Sequence, residues 1–157
     1  MSNLDDLYRE IILDHYRTPR NRGELASPPA VRVEGFNPLC GDELVLYLVV
    51  DNGVVTDIKM TGHGCSISQA SSSMMSVAVK GKTLDEVETM MERFKEMMTL
   101  KERSLDEHGE AAPLDLRNLG EIAALAGVVK FPVRIKCATL AWKTLAEAVA
   151  EAQADAN

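Results

Sequence analysis

The sequence predicts an α+β fold, a small antiparallel three-stranded sheet packed against several helices. Two observations carry that prediction. Alternating apolar residues fill positions 43–51 and 54–61, on either side of Asp51-Asn52-Gly53, whose residues accept the positive φ of a tight hairpin turn. A third short run, with Val31 and Val33 between polar neighbours, precedes them and completes a meander. Before and after this meander the apolar residues recur at helical spacing instead. With 157 residues, 46% of them apolar, the chain has the size and core-forming content of one domain, residues 1–157. It shows no internal repeat and no low-complexity segment.

The elements follow in order. Leu4, Leu7, Tyr8, Ile11, Ile12 and His15 predict a helix over residues 4–16, with Asn3 placed to cap it and Thr18-Pro19 to stop it. Residues 17–29, with Arg20, Arg22, Gly23 and two adjacent prolines, read as a solvated connector; the sharper alternative is a basic patch for an acidic partner. On the strand over 43–51, Leu44, Leu46, Leu48 and Val50 share one face, and Val45, Tyr47 and Val49 the other. On the return strand Ile58 and Met60 oppose Asp57 and Lys59. Residues 66–79 predict a helix with Ile67, Ala70, Met74, Val77 and Ala78 inward, and Ser71, Ser72 and Ser73 needing close packing or a wet face. Thr83 and Glu86 form a capping box for a helix over 84–100, whose methionines read as adaptable core filler. Residues 101–113 read as an exposed excursion, and 114–126 as a short helix ended by Gly127. Phe131-Pro132 predicts an extended entry to a last helix opened by Arg134-Ile135-Lys136-Cys137, with Leu140, Ala141, Thr144, Leu145 and Ala148 inward.

Composition excludes several classes of function. Acidic residues outnumber basic ones 24 to 17, for a net charge of −7, and no basic run stands out, so nucleic acid is not expected as a partner. No apolar run approaches the roughly 20 residues that span a bilayer, so no membrane partner is expected. The acidic, polar start does not resemble a presequence. Three cysteines are too few and too odd for a disulfide framework. A cytoplasmic, reducing location is the expectation.

Those cysteines carry the chemistry. In Asn37-Pro38-Leu39-Cys40-Gly41-Asp42 a thiol and a carboxylate flank a glycine in a turn leading into a strand. Two such anionic groups repel unless a proton or cation lies between them. Antiparallel pairing across Asp51-Asn52-Gly53 brings Gly62-His63-Gly64-Cys65 back beside Cys40 and Asp42. Cys65 then stands at a helix N-terminus, which favours thiolate, and Cys137 at another helix start. The expected site is a metal held by Cys40, Asp42, Cys65 and Cys137. His63 is a possible spare ligand or proton carrier, and Arg134 and Lys136 possible offsets to its negative charge. A purely structural zinc site is disfavoured because no CxxC pair exists and one donor is a carboxylate. A hydrolytic zinc enzyme would need an open position that four protein ligands do not leave.

Three cysteine motifs in order, Asn37-Pro38-Leu39-Cys40-Gly41-Asp42, Gly64-Cys65-Ser66-Ile67-Ser68 and Lys136-Cys137-Ala138-Thr139-Leu140, resemble the iron–sulfur cluster assembly family of IscU, NifU N-terminal domains and SufU. The resemblance covers nearly the whole chain. Lys136, where IscU-type scaffolds carry histidine, and extra residues over 95–113 place it on the SufU side. That side implies a tightly held zinc and sulfur accepted from a SufS-type cysteine desulfurase, with a downstream cluster assembly complex as recipient. The expected function is therefore zinc-dependent sulfur transfer, with Cys40 as the persulfide acceptor and Cys65 and Cys137 remaining on the metal. The alternative is a non-catalytic scaffold carrying iron or a [2Fe-2S] cluster.

Overall fold

A computed structural model describes residues 3–27, 29–38, 41–107, 120–130 and 132–155. In chain order these form α1 (Asn3–Arg17), β1 (Val31–Asn37), β2 (Asp42–Asp51), β3 (Val54–His63), α2 (Ser66–Val79), α3 (Leu84–Glu107), a 3-10 helix (Gly120–Lys130) and α4 (Pro132–Asp155). The strands make one antiparallel sheet in the order β1-β2-β3. The expected α+β architecture is what forms.

The hairpin turns where its residues permit, with Asn52 at φ 53° and Gly53 at φ 76°. A register shift opposite Val49 and Val50 leaves Thr56 of β3 as the extra residue and bends β3 near that turn. Leu44, Leu46 and Leu48 of β2, Val33 of β1 and Ile58 and Met60 of β3 are buried on the inner face. Helix α4 lies across β1 and β2 with Leu140, Ala141, Thr144, Leu145 and Ala148 buried, as their spacing predicts. Gly35 permits that approach, because a Cβ there would run into Thr144 Oγ1. Helix α2 packs against α1 and α4, and the methionine-bearing α3 buries Val87, Phe94, Met97 and Met98. Among the described residues no helix is long and apolar enough to cross a membrane.

Five local expectations are corrected. Val77, placed inward by helical spacing, is 48% exposed. The rest of the stripe faces inward as expected, Ala70 and Met74 buried and Ile67 and Ala78 packed on the core, and Ser68, Ser71, Ser72, Ser73 and Ser76 are buried beside it; the hydroxyls of Ser71, Ser72 and Ser76 bond a neighbouring element or the preceding turn. Small side chains let α1 and α4 come close, and hydrogen bonds offset the burial of their oxygens. Residues 17–29 are not a solvated connector throughout. Met60 N–H donates to the Asn21 carbonyl and Gly23 N–H to the Met60 carbonyl, both at 2.9 Å, so residues 21–23 strap the outer edge of β3. Helix α3 continues to Glu107, through part of the expected excursion; residues 108–113 lie outside the described set. Gly127 does not end a helix, because the 3-10 stretch runs to Lys130; the expected helical residues 114–119 are not described. Phe131 is also outside the described set, and Pro132 is the first residue of α4, where its missing N–H costs nothing.

The capping box forms as its sequence requires: Thr83 N–H donates to Glu86 Oε1 and Glu86 N–H to Thr83 Oγ1, each at 3.1 Å. Chiefly the Thr83 N–H, and then its hydroxyl, holds the Glu86 carboxyl below its usual range. A lowered carboxyl stabilises the fold above its ordinary pKa and loses that contribution as pH falls through the folded value. Thr83→Ala, which removes the hydroxyl that accepts the Glu86 N–H, should cost about 1 kcal/mol of cap stability in urea unfolding at neutral pH, while the backbone bond to the Glu86 carboxyl, and the loss of its contribution in acid, should persist in the variant.

Candidate metal centre

Strand register builds the site. Asn37 pairs with Asp42 at the end of the β1–β2 ladder, and Glu43 pairs with His63 at the end of β2–β3. Side chains alternate along a strand, so Asp42 points inward with Leu44 and is fully buried, while Glu43 points out. Beyond His63 the chain crosses Gly64 and enters α2 with Cys65 as its N-cap. Asp42 Oδ1 accepts the Cys65 N–H at 2.9 Å, and Cys65 Sγ accepts the Ser68 N–H at 3.5 Å.

Two glycines make this approach possible. Gly62 has φ +139°, and a Cβ there would strike the Glu43 carbonyl. A Cβ on Gly64 would strike Asp42 Oδ1. Outside the turn, Arg22 donates from Nη2 to the Gly62 carbonyl at 2.8 Å and from Nη1 to Gln69 Oε1 at 3.1 Å.

Cys137 arrives from the other side. It lies in the second turn of α4 and is fully buried, rather than at the helix start expected from sequence. One donor atom each from Asp42, Cys65 and Cys137 lies within 4.8 Å of the others. A tetrahedral Zn²⁺ with bonds of about 2.0–2.3 Å separates its donors by roughly 3.3–3.8 Å, so this trio needs a contraction of no more than about 1.5 Å. The donor chemistry fits such an ion. Among the described residues, Asp42 Oδ2 is buried without a hydrogen-bond partner, a costly state for a carboxylate oxygen that a cation relieves. The hydrogen bond to Cys137, then the charges of Cys65 and Cys137, hold the exposed Arg134 guanidinium yet more firmly protonated. A positive group already sits against both sulfurs.

The expected site residues are therefore distributed as follows. Asp42, Cys65 and Cys137 converge, and Arg134 stands beside the two thiols. Cys40 lies outside the described residues. His63 is not turned to the trio: its Nε2 lies 3.1 Å from Glu43 Oε2 on the opposite face of the sheet, and its side chain is 73% exposed. Lys136 is exposed. Arg22, expected only as part of a solvated connector or a basic patch, instead holds Gly62 and Gln69, 40 and 47 residues away.

A compact α+β domain whose sheet end, helix N-cap and last helix pool a carboxylate and two thiols has the donor set of a candidate thiolate–carboxylate metal site. The profile of the NifU-like N terminal domain family matches residues 7–155, and the chain belongs to that family. It is 47% identical over 150 residues to the zinc-dependent sulfurtransferase SufU of Bacillus subtilis, covering 96% of this chain and 94% of that one. To the iron–sulfur cluster assembly scaffold protein IscU of Streptococcus pyogenes it is 42% identical over 149 residues, covering 95% and 86%. Its fold is similar to the crystal structure of FiSufU from Fervidobacterium islandicum AW-1, with a TM-score of 0.76 at 36% identity over 89% of this chain and 94% of that one. The N-terminal NifU-like protein of Brucella abortus gives a TM-score of 0.76 at 27% identity, covering 97% and 98%.

The crowding of Gly64 against Asp42 can be tested. Gly64→Ala should displace the carboxylate and speed metal release on the order of 10–100-fold, as Asp42→Ala should, with the fold retained in both. Chelator competition beside thermal melting measures this. A large melting drop with unchanged release would count against a tuning role for Asp42.

Proposed function

We propose that this chain is an iron–sulfur cluster assembly protein acting as a zinc-dependent sulfurtransferase, which accepts persulfide sulfur from a cysteine desulfurase of the SufS type and passes it to a downstream cluster assembly complex. The convergence of Asp42, Cys65 and Cys137 carries this reading, and 47% identity to a zinc-dependent sulfurtransferase over nearly both full lengths supports it. Cys40, two residues before Asp42, completes the donor set as the fourth ligand.

Zinc bound there would keep the thiols deprotonated without redox chemistry of its own. The protein's residues then divide the work. Asp42 is anchored on β2 and by the Cys65 N–H, Cys65 caps α2, and Cys137 is fixed in α4. In sequence Cys40 falls between β1 and β2 rather than beside a helix, so its departure drags none. Its thiolate attacks the outer sulfur of the desulfurase persulfide. A bond forms from Cys40 Sγ to that sulfur, the enzyme's S–S bond breaks, and the enzyme cysteine leaves as thiolate. No net oxidation occurs. Arg134 keeps positive charge beside Cys65 and Cys137 throughout.

A second reading has its own support. Relatives at 42% and 38% identity are named cluster assembly scaffolds, and a scaffold would hold iron and sulfide on the same donors. The two readings differ in what leaves the site: a sulfur atom on one cysteine, or an assembled cluster.

Elemental analysis should find one zinc per chain, lost in Cys65→Ser and Cys137→Ser; a full equivalent in both variants would remove the four-ligand site. With a SufS-type desulfurase, the protein and zinc should accelerate cysteine turnover, and Cys40→Ser should abolish the gain while docking persists. Mass spectrometry after one turnover should place about 32 Da, one sulfur, on Cys40. Uptake of iron and sulfide as a stable cluster, with no stimulation, would establish the scaffold reading in its place.

A further inference from the structure

We propose that Arg22 is a positioning residue for the metal centre, clamping the turn that presents Cys65 from the side opposite Asp42. The proposal deepens the sulfur-carrier reading and rests on it for its consequence, but not for its geometry.

The turn from Gly62 to Cys65 is held on its sheet side by Asp42 and by the close fit of both glycines. On its outer side the Arg22 guanidinium spans the junction. One arm takes the carbonyl of Gly62, the next-to-last residue of β3; the other takes Gln69 in the first turn of α2. Gln69 is itself tied to the metal-binding residue, because its N–H donates to the Cys65 carbonyl at 3.0 Å. Arg22 thus bridges the residues on both sides of Cys65.

Both arms are open to solvent, where a long side chain normally loses much of what it gains in freezing. Here the backbone bears part of that cost. Arg22 forms an isolated parallel bridge with Met60, whose N–H and carbonyl bond Asn21 and Gly23 on either side of it. The side chain therefore starts from a fixed point two residues from Gly62 along β3. A planar, always-charged fork also meets two acceptors at once, where lysine would reach one. The neighbouring Arg20 does nothing comparable for the turn: its guanidinium goes to Asp14 and the Thr18 carbonyl.

The functional consequence is a choice of leaving group. A carrier must release one thiolate and retain the others. Clamping the Cys65 turn makes Cys65 a retained donor and leaves exchange to Cys40.

Amide hydrogen exchange followed by NMR on the purified protein reads the clamp directly at the Cys65 N–H. Arg22→Ala should speed exchange there about tenfold, the scale of one net hydrogen bond, and Arg22→Lys should recover part of the protection. The Leu46 amide in the central strand should keep its wild-type rate, and Arg20→Ala should match wild type at Cys65. Zinc release to a chelator should accelerate in Arg22→Ala in parallel with the Cys65 amide. Wild-type exchange at Cys65 in Arg22→Ala would overturn the proposal, as would equal acceleration at Cys65 and Leu46 or the same effect from Arg20→Ala. The amide reports on the turn whether or not a metal is bound, so a chain without zinc would defeat the carrier reading while leaving this test decisive.

Discussion

The hydrogen bond from the Cys65 N–H to Asp42 Oδ1 fixes the geometry on which the site depends. It joins residues 23 apart in sequence and closes the open end of the β2–β3 hairpin. Its existence rests on register: a slip of one residue would turn Asp42 to the outer face and Glu43 inward. It also divides the carboxylate. One oxygen is spent on the backbone, and the other is buried without a partner among the described residues. A side chain held this way has one lone-pair direction to offer a metal and little freedom to withdraw it.

Behind this bond, polar contacts within the core set the distance between the two thiols. Ser71 Oγ donates to the carbonyl of Ala138, the residue after Cys137, at 2.7 Å, and accepts from Trp142 Nε1 at 3.2 Å. Helix α2, which begins at Cys65, is thereby tied to α4 next to Cys137. Trp142 stacks on Phe94 of α3 with ring centroids 4.5 Å apart, so a third helix braces the pair. An alanine at position 71 would pack almost as well but would leave the indole N–H without that acceptor. The buried serines thus do positional work that apolar residues of similar size would not.

The hairpin was legible because its signals are local. Asn52 and Gly53 permit one kind of turn, and the alternation on either side permits one register that buries Leu44, Leu46 and Leu48. From those facts Cys65 had to return beside Asp42. Cys65 as N-cap and the Thr83–Glu86 box were legible for the same reason, since each partner lies within one turn. The exposure of Val77 was not. Apolar spacing places it with Ala70 and Met74, which are buried, and only the positions of α1 and α4 decide that the helix turns its serines inward beside them and leaves Val77 outside. The strap over β3 was hidden too, because Arg20, Arg22 and Asn21 find their partners dozens of residues downstream. A basic, proline-bearing loop carries no local trace of that pairing. The continuation of α3 to Glu107 overrides a charged stretch that has no apolar stripe to announce it.

The distribution of restraint around the metal centre argues for transfer over storage. Asp42 is held by a strand and a backbone donor, Cys65 by a helix cap, and Cys137 by a helix packed on the sheet. Each comes from a different element, and each element is secured by bonds remote from the site. Cys40 has a different sequence setting, next to the positive-φ Gly41 and between the end of β1 and the start of β2. A cluster scaffold gains from holding all its donors alike, since loss of any one exposes the cargo. A sulfur carrier gains from inequality, because one thiolate must depart while the remaining donors keep the ion. On the proposed reading, three donors on braced elements and a fourth placed by sequence between two strands meet the second requirement, and the Arg134 guanidinium beside Cys65 and Cys137 adds a favourable charge to the donors that stay.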